Sequence, residues 1–216
     1  MDCSVGHVTL APNTPAVHAC ASVCLATQSC RLYCLNFRPT GNECFIFSAL
    51  VTQNWKGDPD SSVTFDVCYS TWYHSGDITH LVSSTAASSI LQHSTTEDKA
   101  VDGFSCRQVP HQCFHSYVRS GAKSWWRADL GIPRSVSRLL VFTRNDGNQA
   151  AHFSNIIITL GNSTLTGQNP VFASLDSGVT GQMMDFIVTT PMIGRYLEFI
   201  TSPQLFLLIC EVKIIS

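Results

Sequence analysis

Few residues of this chain have types and spacings that could support chemistry, and those few favour binding over catalysis. His111 and His115 stand four positions apart, a spacing that on a helix would form a metal-binding pair. Pro110 disfavours a helix there. The sequence contains no Gly-x-Ser-x-Gly elbow, no phosphate-binding loop and no His-Glu-x-x-His motif. We therefore predict that the protein is not an enzyme.

A second candidate group, Arg144-Asn145-Asp146, follows the β-rich run Val136–Thr143. A guanidinium and a carboxylate two positions apart offer several donors and acceptors to a polar ligand. The same pair could instead bond to each other and steady the loop, contributing little to binding or stability. Both interpretations place the group in the loop that leaves a strand.

The strand-forming stretch Ser124–Gly131 must help to position these residues, because it combines adjacent tryptophans with strict alternation. Period-2 geometry predicts one apolar face and one face that holds a charge pair. The apolar face carries Trp126, Ala128 and Leu130, and the other carries Trp125, Arg127 and Asp129. Gly131 and Pro133 are predicted to end this strand. Val136–Arg144 is then a second segment neighbouring the first.

Cysteine distribution divides the 216 residues into two regions, since seven of ten cysteines lie in the first third. We predict a disulfide-stapled domain over residues 1–72 and a domain with its own hydrophobic core over residues 77–216. Cysteines without paired Cys-x-x-Cys knuckles favour disulfides over zinc, and hence an oxidising compartment. We expect a secreted, extracellular protein. The N-terminus lacks the features of a secretion signal, so we expect the mature chain.

Charge and hydropathy exclude two classes of partner. A net charge of −2 without a basic cluster gives no electrostatic basis for binding nucleic acid. No apolar run is long enough to span a bilayer, because the C-terminal run Leu205–Ser216 is interrupted by Glu211 and Lys213. That run is predicted to be a buried strand pair.

In the first region, Thr14 is predicted to cap a helix that has Pro15 at its first position and continues to about Ala26. Two strand-like runs, Cys30–Phe37 and Glu43–Ser48, follow with a turn-rich linker between them.

This helix and hairpin, with a Cys-x3-Cys-x5-Cys run and terminal cysteines, resemble the PAN/apple module over residues 3 to 68. The resemblance implies three disulfides: Cys20–Cys44, Cys24–Cys30 and Cys3–Cys68. Cys34 and Cys106 are then left over, for a bridge between the regions or as free or intermolecular thiols. PAN modules mediate protein or carbohydrate contacts, although a stapled spacer that positions the other domain is an equally open interpretation.

The second region is rich in short β-like runs separated by turn signals, which predicts an antiparallel sandwich or jelly roll. The runs are Trp125–Leu130, Val136–Thr143, Ser154–Leu160, Met183–Thr189, Arg195–Ile200 and Leu205–Ile215. The fold class of the whole chain is therefore mainly β, with a small α+β N-terminal domain.

Five motifs of this region occur in the order seen in F-type lectins (fucolectins), members of the discoidin-like group. They are Ala100–Gly103, Cys113–His115, Trp125–Gly131, Gly194–Leu197 and Leu208–Val212. The resemblance implies a β-jelly roll, a Cys113–Cys210 disulfide and a bound Ca²⁺. A hard cation needs about six to eight oxygen ligands. Asp102 and Glu211 match the family's carboxylates, and the positions that contribute mainly backbone oxygens are Lys99, Phe104, Gln112 and Cys210. Without calcium, Asp102 would only cap its turn and Glu211 would be a surface charge.

The same resemblance implies a fucose site built from a His, an Arg-x-Asp and a second basic residue. His115, Arg144 and Asp146 match the first three, whereas Ala151 occupies the second basic position and His152 stands next to it. Gly147-Asn148 replaces the family's vicinal cysteines. A lost charge-assisted hydrogen bond weakens binding by about tenfold to a hundredfold, unless Arg119, Lys123 or His152 takes its place.

These observations predict a secreted, calcium-stabilised lectin that recognises fucosylated or related glycans and glycoproteins. The alternative is a matrix or adhesion protein whose jelly roll has lost sugar binding and contacts other extracellular proteins or membranes. Asn162-Ser-Thr is an N-glycosylation sequon and fits a secreted surface. Lectins are often multivalent because single sites are weak, so a homo-oligomer is one expectation, although the sequence shows no oligomerisation motif.

Overall fold

The structure is a computed structural model that describes residues 4–51, 64–70, 74–105, 112–118, 121–144, 153–177 and 183–216. It divides into two compact units, Met1–Tyr73 and His74–Ser216. Among the helices of these described ranges, none is long and apolar enough to cross a bilayer. Several residues named above lie outside the described ranges: Cys3, Cys106, Pro110, His111, Arg119, Asn145, Asp146, Gly147, Asn148, Ala151 and His152.

The first unit contains one α-helix in its described part, α1, over Ala16–Ala26. Ala16, Cys20 and Cys24 are buried one turn apart, so this face packs on the sheet. The predicted helix start is wrong in detail. Pro15 is the N-cap residue with extended backbone, and no side chain of the described part of the unit caps the helix. Proline carries no side-chain acceptor, and its lack of an N–H costs nothing at this position.

The sheet of the first unit confirms the predicted hairpin. The strands of this unit are β1 (Ser4–Thr9), β2 (Leu32–Asn36), β3 (Glu43–Phe47), β4 (Leu50–Val51) and β5 (Val67–Ser70). β2 and β3 pair antiparallel with Leu32 opposite Phe47 and Asn36 opposite Glu43. The four-stranded order is β1-β3-β2-β5, which leaves β1 and β5 at the edges.

Disulfides in the first unit confirm two predicted pairs and correct a third. Cys20–Cys44 and Cys24–Cys30 join the helix to the sheet and to the segment after the helix. Cys68 bonds to Cys34, so the predicted Cys3–Cys68 pair is wrong. The physical reason is strand register, because β2 pairs with β5 so that Cys34 lies directly opposite Cys68.

The second unit is built mainly from antiparallel strands. They are β6 (Ser84–Ala87), β7 (Phe104–Ser105), β8 (Phe114–His115), β9 (Lys123–Phe142), β10 (Ile156–Gly161), β11 (Val171–Leu175), β12 (Met183–Pro203), β13 (Leu208–Ile209) and β14 (Glu211–Ile215). Short 3₁₀ helices cover Thr79–Leu81 and Glu97–Ala100. The main sheet has the order β11-β10-β12-β9-β14, with β6 also paired to β9.

Two long strands, β9 and β12, form the frame of this unit. Residues 123–129 of β9 pair with residues 196–203 of β12, and residues 134–142 pair with residues 183–194. The prediction that Gly131 ends the first strand is wrong. Gly131 has a φ of 76°, a conformation that glycine adopts without steric cost, so the chain bends there and the strand continues. β12 has register shifts at the same level. The two halves of this strand pair have different neighbours: β6 and β10 beside one half, and β14 beside the other.

The hydrophobic core of the second unit includes the buried face of β9. Trp126, Ala128 and Leu130 are fully buried, which confirms the predicted apolar face. Trp126 packs edge-on against Phe199 with ring centroids 5.6 Å apart, and its indole N–H donates to the carbonyl of Glu97 at 2.8 Å. The buried indole thus keeps its hydrogen bond.

The opposite face of the same strand carries charges that pair across strands. Arg127 bonds to Glu198 at 2.7 Å, and Glu198 is fully buried. Asp129 accepts two hydrogen bonds from Arg195, at 2.7 and 2.8 Å. The hydrogen bonds from the Arg195 guanidinium hold the pKa of Asp129 below its usual value. Arg127 and Asp129 therefore stabilise the contact between β9 and β12.

The C-terminal run is strand-like as predicted, but its two strands do not pair with each other. β13 pairs with β8, and β14 pairs with β9. Cys210 is the single residue between the two strands. One residue is too short a connection to reverse the chain into a hairpin.

Candidate functional site

The candidate site lies at the end of the second unit where β9 ends and β14 begins. Glu211 pairs with Phe142, and the Cys210 N–H donates to the Phe142 carbonyl at 2.8 Å. Cys113 and Cys210 form the disulfide that the sequence resemblance implied. This bond attaches the segment before β8 to the start of the last strand.

His115 is held firmly next to this disulfide. It pairs with Leu208 across β8 and β13, and its imidazole lies 5.3 Å from the ring of Phe206. Its N–H donates to the carbonyl of Thr95, and its carbonyl accepts from the N–H of Leu91 at 2.8 Å. Only 8% of the residue is exposed, and its Nε2 atom is buried, so a ligand would reach this nitrogen only after a local rearrangement.

Arg144 lies at the same end of the unit as His115. It follows β9 by two residues and is partly exposed. The segment from Leu208 to Glu211 connects the two positions, because Leu208 pairs with His115 and Glu211 pairs with Phe142. Asp146 and His152, the remaining predicted sugar ligands, belong to residues 145–152, which the structure does not describe.

The two predicted metal carboxylates meet at the turn that follows the second 3₁₀ helix. Asp102 accepts a hydrogen bond from the Phe104 N–H at 3.0 Å and lies 3.3 Å from the ammonium of Lys99. Glu211 accepts from the Gly103 N–H at 3.3 Å. Asp102 thus caps its turn, but Glu211 is only 2% exposed and is not a surface charge.

The electrostatics of this pair favour a positive charge between the carboxylates. Burial, opposed in part by Phe104 and Lys99, raises the pKa of Asp102 to about 6. The pKa of Glu211 is raised well above its usual value, mainly by burial and to a smaller extent by the negative charge of Asp102. One carboxylate oxygen of Glu211, Oε1, is buried and has no hydrogen-bond partner among the described residues. A buried acceptor with no partner is costly, and a hard cation would satisfy it.

These residues fit a Ca²⁺ ion in their donor chemistry. Asp102 and Glu211 would supply carboxylate oxygens, and main-chain oxygens of the flanking residues would complete the shell. The flanking positions are Lys99, Phe104, Gln112 and Cys210. Within the described ranges no three His, Cys, Asp or Glu side chains form a metal cluster, so such an ion would depend on the main chain. The Lys99 ammonium competes for the same Asp102 oxygen.

A cleft of about 280 Å³ opens at the same end of the unit, between the end of β6 and the start of β9. Ser88, Ser89, Tyr117, Lys123 and Trp125 line it. Sequence reasoning named Lys123 as a substitute cation but did not identify the cleft, because its two sides are distant along the chain. The exposed aromatic Tyr117, two positions after His115, was the available signal.

Comparison with known proteins shows what the second unit is similar to. The family model F5/F8 type C, described as a NedA-like, galactose-binding domain, matches residues 99–199. Fucolectin-4 and fucolectin-1 of Anguilla japonica are 30% and 29% identical to this chain over 118 residues, or 53% of it. These matches cover 64% and 65% of the two relatives. The chain therefore spans a little under two thirds of the length of these curated relatives.

Solved structures agree on the fold. A fucolectin from the serum of the striped bass, Morone saxatilis, superposes with a TM-score of 0.57 at 22% identity over 65% of this chain and 48% of that one. The lectin domain of lectinolysin, complexed with Lewis B antigen, gives 0.53 at 22% identity over 67% of this chain and 99% of that domain. The second unit thus has the antiparallel jelly-roll fold of these lectin domains. Among the sequences compared, this chain is similar to the fucolectins.

Proposed function

We propose that the protein is a lectin whose second unit binds fucosylated or related glycans, with Ca²⁺ holding the binding end in shape. The observation that carries the proposal is the meeting of His115, Arg144 and the Asp102–Glu211 pair at one end of a lectin fold, beside the Cys113–Cys210 disulfide.

Each group has a distinct role in this proposal. Arg144 donates forked hydrogen bonds to neighbouring sugar hydroxyls, and one edge of His115 accepts or donates a further one. Asp146 orients Arg144 or accepts from a hydroxyl. The cation supplies fixed positive charge between the two carboxylates, which ties the Asp102 turn to the start of β14.

We also infer an extracellular location and a PAN/apple-like first unit. Four disulfides among the described cysteines support an oxidising compartment. A helix attached to a sheet by Cys20–Cys44 supports the PAN/apple assignment. The first unit would then add a contact surface or act as a spacer for the lectin unit.

The test is binding of the full chain to a glycan array in calcium and in chelator. Arg144 is partly exposed, so Arg144→Ala should preserve folding and reduce fucoside binding at least about tenfold. Arg134→Gln is the matched control, because it removes a partly exposed arginine from the bend at the opposite end. Absence of binding to every glycan by the wild type would contradict the proposal.

A second candidate function is protein-mediated adhesion without sugar binding. The burial of His115, only 8% exposed, and Ala151 in the place of a basic residue favour it. No array binding at all by the wild type would support this alternative, whereas unchanged array binding by Arg144→Ala and His115→Gln would place sugar binding elsewhere on the chain.

A further inference from the structure

The cleft between β6 and β9 has the composition of a saccharide site, and it contains neither His115 nor Arg144, although it includes the substitute cation Lys123. Tyr117 and Trp125 are its aromatic residues, and Tyr117 is 54% exposed. The Arg127 guanidinium lies 5.0 Å from the centre of the Trp125 ring, which restrains that ring. Aromatic rings in a polar cleft suit the apolar faces of sugar rings.

Polar groups of the cleft remain available to a ligand. The Ser88 hydroxyl accepts from the Trp125 N–H at 3.1 Å, and its proton meets no acceptor within the described part of the chain. Lys123 is exposed at the start of β9. None of the ion pairs found among the described residues involves its ammonium. Counted over the described residues, the cleft therefore offers a positive charge without an ion-pair partner and a hydroxyl donor.

The walls of the cleft are fixed to the segment that carries His115. The Ser89 hydroxyl donates to the Tyr117 carbonyl at 2.8 Å and accepts from the Tyr117 N–H at 3.1 Å. Two residues of extended chain span about 7 Å at most, so Tyr117 lies within that distance of His115 along the backbone. A glycan held at His115 would extend over Tyr117 into the cleft.

The size of the cleft indicates how much of a glycan it can hold. About 280 Å³ corresponds to about nine water molecules at about 30 Å³ each. This is the scale of a single sugar residue and not of an oligosaccharide chain.

We infer that this cleft is a second saccharide subsite, which takes a sugar residue bearing a carboxylate or a sulfate next to the sugar bound near His115. Lys123 pairs with the anionic group, Ser88 donates to a hydroxyl, and Tyr117 covers the ring. The inference rests on the proposed glycan-binding function and specifies which glycans the site prefers.

The test compares three glycans that share one fucosylated core: neutral Lewis x, sialyl-Lewis x and 3′-sulfo-Lewis x. Affinities are measured for the full chain by isothermal titration calorimetry in calcium, at about 50 mM and about 300 mM salt. We expect the wild type to bind one or both anionic glycans about five- to tenfold more tightly than the neutral one at low salt, which is the effect of a solvent-screened charge-assisted hydrogen bond. The gain should shrink at high salt. Comparison of sialyl-Lewis x with 3′-sulfo-Lewis x shows whether the cleft prefers a carboxylate or a sulfate.

Variants assign the preference to the cleft. Lys123→Gln should abolish the gain in affinity for the anionic glycans over the neutral one, whereas the charge-matched control Arg134→Gln should keep it. Tyr117→Ala should weaken the anionic glycans more than the neutral one. Equal affinity of the wild type for all three glycans, or an unchanged gain in Lys123→Gln, would overturn the inference while leaving the proposed function intact.

If no fucosylated glycan binds, the proposed function fails, and the cleft is tested separately. Sialyllactose and a 3′-sulfated galactoside are titrated while the indole N–H signals are followed by NMR. A shift of the Trp125 signal that Lys123→Gln removes supports the cleft as an anionic sugar site, and no shift with either ligand refutes it.

Discussion

Removal of the Asp102 charge is expected to change how stability depends on pH, and the sign follows from the carboxylate pair. In chelator, Asp102 holds its proton in the folded state with a pKa of about 6, above its usual value of 3.8. Its contribution to stability is present in full below about pH 4 and is lost as the pH rises through about 6. Glu211, whose pKa is also raised, acts in the same direction.

The magnitude follows from the same values. The difference between 3.8 and about 6 converts to about 3 kcal/mol. Part of Asp102 is exposed to solvent, so we expect about 1–2 kcal/mol. For a unit of this size, that is a fall in melting temperature of about 3–8 °C between pH 4.5 and pH 7.5.

Calcium should reverse this loss, because the cation binds the deprotonated carboxylates. A ligand at a hundred times its Kd stabilises the folded state by about 2.7 kcal/mol, which is a rise of about 8 °C. The assay is scanning calorimetry of the full chain at both pH values, with calcium and with chelator. Asp102→Asn and Glu211→Gln should melt higher than the wild type in chelator at pH 7.5, and their response to calcium should be lost.

Asp185→Asn is the matched control, since it removes a carboxylate of the same unit that already pairs with Arg138 at the surface. This variant should keep the calcium response of the wild type. If calcium leaves the wild-type melting temperature unchanged at pH 7.5, and neither variant raises it in chelator, then the carboxylate pair is not a cation site and the reasoning is refuted.

Three further predictions follow from described contacts. Glu198→Gln leaves Arg127 without its buried counter-charge and should destabilise the second unit by about 3–5 kcal/mol. Urea unfolding measures this change, and a loss of stability below about 1 kcal/mol would show that the pair contributes little. Cys113→Ser with Cys210→Ser should cost about 2–4 kcal/mol and weaken calcium binding in calorimetry, and unchanged calcium affinity would contradict a site held by that disulfide. Expression through a secretory route should add an N-glycan at Asn162, which is exposed. Mass spectrometry before and after treatment with peptide N-glycosidase F detects the glycan, and an unmodified wild type would disprove the prediction.

Local patterns in the sequence predicted the strands and their faces well. Alternation from Trp125 to Leu130 was sufficient to identify the buried face, because burial on one side of a strand imposes a period of two. The prediction that the strand ends at Gly131 was wrong for a reason that is also local, because glycine is compatible both with the end of a strand and with a bend within it. Single-sequence reasoning cannot distinguish these outcomes.

Partners that are distant along the chain could not be predicted. Arg127 and Asp129 bond to residues 71 and 66 positions away, and nothing in their own strand indicates this. The Cys34–Cys68 pair likewise depends on the register between β2 and β5. At the candidate site, the residue types of Asp102 and Glu211 suggested a cation, whereas the burial of Glu211 became evident only in the fold.

β9 and β12 pair with each other along most of their length and lie at the centre of the main sheet. Opening of one half of this pair would remove hydrogen bonds from the strands beside it, so amide protons from residues 123–142 and 183–203 should exchange together, at the rate of global unfolding. The loops at the ends of the unit can then differ in length or composition without lowering the stability of the central strands.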